Sequence, residues 1–253
     1  MRIIFTEDYD GMSREAAKIV AGQLYLKPAS VLGLATGSTP VGLYDMLVKV
    51  HETIGLDFSS VTTFNLDEYV GMNPENPESY HYFMQEHLFS RVNLDPSRCF
   101  VPDGMAEDRS AEGRHYDERI RRAGGIDLQV LGIGQNAHIG FNEPDIQFEA
   151  MTHKVRLDDE TIRANARFFE REEDVPRYAI SLGIRNIMLA RRVVLLANGA
   201  KKAEAVRKAV CGSVTPEAPA SILQLHRDVT VIVDRAAAAC LPEAWKQNHV
   251  YTF

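Results

Sequence analysis

Three stretches of this chain gather residue types that move protons or hold anions. The first is Asp67-Glu68, which follows the apolar run Val61-Thr62-Thr63-Phe64-Asn65-Leu66. A carboxylate at the end of a buried strand can serve as a general base, and either acid of this pair could fill that role or simply form a solvated turn. The second is Gly132-Ile133-Gly134-Gln135-Asn136-Ala137-His138-Ile139-Gly140-Phe141-Asn142-Glu143-Pro144. His138 lies two residues after Asn136 and five before Glu143, so all three can converge on one cleft, and an imidazole beside a carboxylate is an acid/base tunable near neutral pH. The third is Ala35-Thr36-Gly37-Ser38-Thr39-Pro40. Thr39 reads as an N-cap with Pro40 at the first helical position. The alternatives here are a plain capped turn or an anion cradle, in which Gly37 admits a close ligand and the hydroxyls and N–H groups of Ser38 and Thr39 face it.

Four cations stand out downstream: Arg163, Arg167, Lys201 and Lys202. Each alone reads as surface charge, but a phosphate site on the 36–39 loop needs one or two such partners. Two other motifs are set aside. Gly132, Gly134 and Ala137 match a dinucleotide fingerprint only in spacing, because Gly140 and Pro144 interrupt the helix that must follow. The chain has no Gly-Lys pair, so the 36–39 loop is not a Walker A loop. His81 and His87, six apart, do not share a helix face and read as surface or packing residues rather than metal ligands.

The elements that must position these residues alternate. Short apolar runs at 30–35, 61–66, 126–133 and 192–197 read as buried strands. Stretches of helical period fall at 13–26, 39–53, 79–91, 108–123 and 199–210. Nearly continuous apolar strands interleaved with helices predict a three-layer α/β/α domain with an open, mostly parallel, Rossmann-like sheet. In such sheets ligands bind outside the carboxyl ends of the strands, where the 36–39, 67–68 and 134–143 loops fall.

Composition narrows the function classes. The 253 residues are 45% hydrophobic and 25% charged, an ordinary globular balance, and are read as one domain over 1–253. A net charge of −7 argues against nucleic acid as a partner. No run approaches a membrane span. Cys99, Cys211 and Cys240 are widely spaced and form no CxxC, which fits a reducing compartment, and the acidic N-terminus does not read as a signal peptide. A cytoplasmic location is the expectation.

Taken together the motifs resemble the glucosamine-6-phosphate deaminase (isomerase) family. The carriers are Gly33-Leu34-Ala35-Thr36-Gly37-Ser38-Thr39-Pro40, Thr63-Phe64-Asn65-Leu66-Asp67-Glu68-Tyr69-Val70-Gly71, Ser79-Tyr80-His81, Gly132-Ile133-Gly134, His138-Ile139-Gly140-Phe141-Asn142-Glu143-Pro144, Asn165-Ala166-Arg167-Phe168-Phe169 and Leu223-Gln224-Leu225-His226. They span nearly the whole chain. The resemblance implies conversion of glucosamine 6-phosphate and water to fructose 6-phosphate and ammonia, with no metal or organic cofactor. By match, Asp67 moves a proton between C2 and C1. His138, helped by Glu143 and Asn136, opens the sugar ring. Gly37, Ser38, Thr39, Arg167 and Lys202 match phosphate-binding positions. The amino-sugar phosphate is then the expected partner, and a lid is expected within 144–175.

Three departures qualify the match. Asn136 stands where many members carry Asp, so ring opening would rest on His138 and one carboxylate. Ala137 stands where Gly is commoner. His153 and Val155 replace basic residues that bind the activator N-acetylglucosamine 6-phosphate in regulated, hexameric members, and the ending at Tyr251-Thr252-Phe253 reads as a shortened tail. A monomer or small homo-oligomer without activation is therefore expected. The competing readings are a 6-phosphogluconolactonase-like hydrolase, which leaves Asp67 and Glu143 unexplained, and a sugar-phosphate sensor, which would need a helix-turn-helix segment that has no room here.

Overall fold

Seven strands form the centre of the molecule, seen in a computed structural model that describes residues 1–248. The tail at Tyr251-Thr252-Phe253 lies outside the described residues. In chain order the first half runs β1 (Arg2–Thr6), α1 (Tyr9–Leu26), β2 (Val31–Leu34), α2 (Val41–Ile54), β3 (Thr62–Asn65), β4 (Asp67–Tyr69), α3 (Tyr80–His87), β5 (Cys99–Phe100) and α4 (Arg109–Arg122). The second half runs β6 (Leu128–Gly132), β7 (His153–Arg156), α5 (Asp159–Asn165), β8 (Tyr178–Ser181), α6 (Ile184–Leu189), β9 (Arg192–Ala197), α7 (Ala203–Cys211), β10 (Val229–Asp234) and α8 (Glu243–Asn248).

The main sheet has the order β1-β10-β9-β6-β2-β3-β5, and every neighbouring pair is parallel. All residues of β2 and β10 are buried, as are all but the terminal residue of β6 and β9. Burial on both faces is why these runs are apolar throughout and not alternating. Helix α1 buries Met12, Ala16, Val20 and Leu24, one per turn, and its first turn is capped by Asp8, whose carboxylate accepts from Gly11 N at 2.8 Å. The three-layer α/β/α Rossmann-like architecture expected from the alternation is the one observed.

The element bounds differ from the expected ones where tertiary contacts intervene. Thr39 is not the cap of α2. The helix starts at Val41, and Pro40 gives it no side-chain cap. Instead the Tyr9 hydroxyl, 33 residues upstream, accepts from Gly42 N at 2.7 Å and donates to Ser38 O at 3.0 Å. That remote cap leaves the Thr39 hydroxyl free to donate to Asn198 Oδ1 at 2.9 Å. The expected helix over 79–91 ends at His87 and continues as a 3₁₀ turn, Phe89–Arg91. The helix over 199–210 opens as a 3₁₀ turn, Ala200–Lys202, before α7.

A second, antiparallel sheet of order β4-β8-β7 has no counterpart in the sequence reading. It closes its own small core of Tyr69, Met72, Phe141, Leu157, Ile162, Val175 and Ala179. Strand β4 is only three residues long and β7, His-Lys-Val-Arg, is half exposed, so neither carries a legible apolar run. Among the described residues no helix is long and apolar enough to cross a membrane, and no group of three or more His, Cys, Asp or Glu is placed to hold a metal ion.

Candidate active site

The main sheet changes direction between β6 and β2: the chain runs outward from β2 to β3 on one side and from β6 to β9 and β10 on the other. A crevice opens beyond the carboxyl ends of strands at such a switch point. Here it is a cavity of about 480 Å³. The loops after β2, β3, β6 and β9 all reach it, so residues 36–39, Asp67, Asn136, His138 and Lys202 share one space with Arg167 from the segment after α5.

One end of the cavity is cationic. Gly37, at φ 88°, turns the chain back after β2 in a conformation that side chains rarely adopt. The turn presents Ser38, whose Oγ accepts from Arg167 Nη2 at 2.9 Å. Lys202 lies on the same cavity, and burial followed by the Arg167 charge lowers its pKa to about 8. Two cations close enough to repel each other, next to hydroxyls and turn N–H groups, are the chemistry that can hold an anion. Arg163 and Lys201 also line this space.

Asp67 lies where the chain switches sheets. Leu66 still belongs to the first sheet, its N–H donating to Leu34 O, while its carbonyl accepts from Leu182 N at 2.7 Å. Asp67 then begins β4, paired with Ser181 of β8. Asp67 is 6% exposed, and burial, reinforced by the neighbouring Glu68 charge, pushes its pKa up to about 8. Gly140 packs beside it: a Cβ there would stand 3.7 Å from Asp67 Oδ2. The backbone that carries His138 therefore runs directly past this carboxyl.

His138, Glu143 and Asn136 do converge, as their spacing suggests. Glu143 Oε2 lies 3.1 Å from His138 Nδ1 and accepts from Asn136 Nδ2 at 2.8 Å. Asn136 Oδ1 in turn accepts from His138 N at 3.2 Å. Burial would raise the Glu143 pKa, but the His138 hydrogen bond and charge, with Thr161 and Asn136, outweigh it and hold it at about 2. A carboxylate only accepts, so in the neutral imidazole it fixes the proton on Nδ1 and leaves Nε2 as the acceptor. Gly134 makes this packing feasible, because a Cβ there would stand 2.3 Å from the His138 ring. Ala137 has φ 71°, alone among the described non-glycine residues in a left-handed conformation. That is the strain expected of Ala where Gly is commoner, of order 1 kcal/mol. No helix follows Gly132 before the next strand, which removes the dinucleotide alternative.

Other residues complete the site and its supports. Thr161 Oγ1 lies 3.4 Å from His138 Nδ1. Asn165 Nδ2 donates to the Tyr69 hydroxyl at 2.9 Å, and the Tyr80 hydroxyl donates to the same oxygen at 3.1 Å. These bonds tie α5, two residues before Arg167, to β4 and to the cavity wall. Glu68, the other half of the acidic pair, is buried and turned to a different task. Its carboxylate accepts from Tyr69 N, Tyr80 N and His81 N at 2.8, 3.0 and 2.9 Å. His153 and Val155 lie on β7 and line a separate hollow of about 660 Å³, which Glu143 borders.

The fold and site define a class: a three-layer α/β/α protein with a cationic pocket end, a buried carboxyl and a histidine–carboxylate couple at the sheet's switch point. Comparison with known proteins agrees. The family description glucosamine-6-phosphate isomerases/6-phosphogluconolactonase matches residues 10–232. The glucosamine-6-phosphate deaminase of Halothermothrix orenii is 55% identical over 95% of this chain and 100% of its own. That of Clostridium acetobutylicum is 54% identical with the same coverage. A solved monomeric glucosamine-6-phosphate deaminase superposes with a TM-score of 0.93 at 45% identity, covering 95% of this chain and 100% of that one. A 6-phosphogluconolactonase from Trypanosoma cruzi shares the fold at a TM-score of 0.75 and 21% identity, over 95% of this chain and 96% of its own. The chain belongs to the glucosamine-6-phosphate isomerase/6-phosphogluconolactonase family and, within it, to the glucosamine-6-phosphate deaminases.

Proposed function

We propose that this protein converts D-glucosamine 6-phosphate and water to D-fructose 6-phosphate and ammonia, a step of amino-sugar breakdown. The observation that carries the reading is a single cavity that joins a cationic anion site, a buried carboxyl and a histidine–carboxylate couple. The phosphate sits against Gly37, Ser38, Thr39, Arg167 and Lys202. Binding there places the sugar over the reacting groups and uses remote binding energy for orientation. His138, held by Glu143 and Asn136, takes the proton from O1 and returns one to O5, opening the ring to the aldehyde. The aldehyde acidifies the C2 proton. Asp67 removes it and delivers it to C1, while O1 gains a proton and the amino nitrogen gives one up, so the 2-amino aldose becomes a 2-imino ketose. Water adds to the imine carbon and ammonia leaves. All atoms balance with substrate and water alone. Incubation with glucosamine 6-phosphate, following ammonia and fructose 6-phosphate together, tests the reading. Hydrolysis of 6-phosphogluconolactone without ammonia release would favour the lactonase branch instead.

The ring-opening role makes a separate prediction. His138→Gln should slow turnover of the closed sugar by roughly 10²-fold or more while an open-chain amino-alditol phosphate still inhibits at nearly its wild-type concentration. An inhibition constant that rises in step with the loss of turnover would assign His138 to general binding.

The same reading covers assembly and regulation. The chain works as one domain, as a monomer or small oligomer, with a lid within 144–175, the segment that carries Arg167 to Ser38. His153 spends its Nδ1 proton on Met151 O, and Val155 offers no hydrogen bond, so neither supplies the charge-assisted contacts an anionic effector needs. An effector without differential contacts shifts no equilibrium. Saturation curves should be hyperbolic and unchanged by N-acetylglucosamine 6-phosphate. A sigmoidal curve that the effector straightens would contradict this.

A further inference from the structure

Asn198 is the first residue after β9 and lines the cavity at its cationic end, four residues before Lys202, yet no reaction step above uses it. Its Oδ1 accepts the hydroxyl proton of Thr39 at 2.9 Å, which joins the turn after β9 to the turn after β2. The amide nitrogen meets no acceptor among the described residues, and protein does not enclose it. Its two N–H donors are therefore open to the cavity. The turn that carries this amide is fixed from behind. Both carboxylate oxygens of Asp234 accept from Gly199 N, at 3.1 and 3.0 Å, and Asp234 also accepts from Ala237 N at 2.7 Å. Asp234 ends β10 and is buried. Lys202 N closes the same turn on Gly199 O at 3.0 Å. One braced turn thus presents Asn198 and Lys202 together.

We propose that Asn198 is a further binding residue for the phosphate, its amide N–H groups donating to a phosphoryl oxygen beside Lys202 and Arg167. The proposal rests on the reading of this end of the cavity as the phosphate site. The balance of donors supports it. Thr39 has one hydroxyl proton and gives it to Asn198, so a ligand receives nothing from that hydroxyl. Asn198 replaces the lost donor with two of its own. The residue type points the same way. Asp at this position would accept from Thr39 at least as strongly, because its oxygens are charged. The amide differs in what it turns toward the cavity: N–H donors, where a carboxylate would present a negative oxygen. That difference favours an anionic ligand. Ser38 Oγ accepts from Arg167 and keeps its own proton to donate, so the anion meets Ser38 and Asn198 as neutral donors between two cations.

Two variants separate a contact with the ligand from a support for Thr39. Binding of inorganic phosphate to the full-length protein is followed by isothermal titration calorimetry at neutral pH, with no substrate present. Asn198→Ala should weaken phosphate binding roughly tenfold, the scale of a hydrogen bond to a charged group. Asn198→Asp keeps the acceptor for Thr39 but turns a negative oxygen toward the ligand, so it should weaken binding more than Asn198→Ala does. With glucosamine 6-phosphate, both variants should raise KM by a similar factor and leave kcat within about twofold of the wild type. The assignment is overturned if Asn198→Ala binds phosphate as tightly as the wild type. It is equally overturned if Asn198→Asp does so, because Asn198 would then serve only as the acceptor for Thr39. A wild-type protein with no saturable phosphate binding would remove the phosphate site and this role together. A wild type that binds phosphate but releases no ammonia would end the deaminase reading alone, and the two variants would still decide the role of Asn198.

Discussion

Asp67→Asn should slow kcat by roughly 10²- to 10⁴-fold, the scale of a lost general base, while KM changes little because the phosphate end is untouched. The same substitution should make the protein more stable in alkaline solution. The folded-state pKa of Asp67 is raised to about 8 from 3.8. Between those values the unfolded chain releases a proton that the native protein keeps, so stability falls as pH rises through this window, and the penalty is complete above about pH 8. Asn carries no such penalty. Its Tm should exceed that of the wild type by about 3 °C or more at pH 8 and converge with it near pH 4. Loss of turnover with a gain in stability is what a residue kept for chemistry predicts. Near wild-type turnover would eliminate Asp67 as the base, and an unchanged Tm difference across pH would remove its raised pKa.

The second large effect concerns the 6-phosphate. Arg167, hydrogen-bonded to Ser38, and Lys202, whose charge Glu160 partly offsets, line the same cavity, and a hydrogen bond to a charged group is worth about 1.5–3 kcal/mol. Two such contacts make free glucosamine a substrate with kcat/KM lower by roughly 10³-fold or more. Arg167→Ala should raise KM by about 10²-fold with a smaller change in kcat. Lys202 adds a pH signature. Its pKa is lowered to about 8, so it loses charge as pH rises through that value and phosphate affinity falls. Asp67 gains its charge over the same range, so kcat/KM should pass through a narrow maximum near pH 8. Lys202→Arg should move only the alkaline limb upward, because guanidinium does not deprotonate there. Equal kcat/KM for glucosamine and its phosphate would refute the assignment of this end of the cavity.

Other acidic residues respond to pH with the opposite sign. Glu143 is held at about 2, below its ordinary 4.5, so it contributes stability above the unfolded value that is lost as pH falls from 4.5 toward 2. Acid should therefore loosen the 134–143 loop while leaving Asp67 protonated and indifferent. The contrast follows from partners: Glu143 has a histidine and an amide donor, whereas Asp67 has burial and a like charge.

The sequence by itself determined the layer architecture, because strands buried on both faces need continuous apolar residues and leave a readable run, as at Val31–Leu34 and Arg192–Ala197. It also determined which residues could do chemistry, since His138, Asn136 and Glu143 are close enough along the chain for one loop to gather them, and they meet within 3.2 Å. Tertiary structure decided what each acid of Asp67-Glu68 does. Alternation along β4 sends the two side chains to opposite faces, so one borders the cavity and the other accepts from α3, a helix that starts twelve residues further on. It decided the cap of α2, where the remote Tyr9 hydroxyl accepts from Gly42 N and Thr39 instead donates to Asn198. It decided the second sheet, whose strands are too short or too exposed to show a period. And it brought Arg167 to Ser38 across 129 residues of chain, a pairing that no spacing encodes because only the docking of α5 on β4, through Asn165 and Tyr69, sets it.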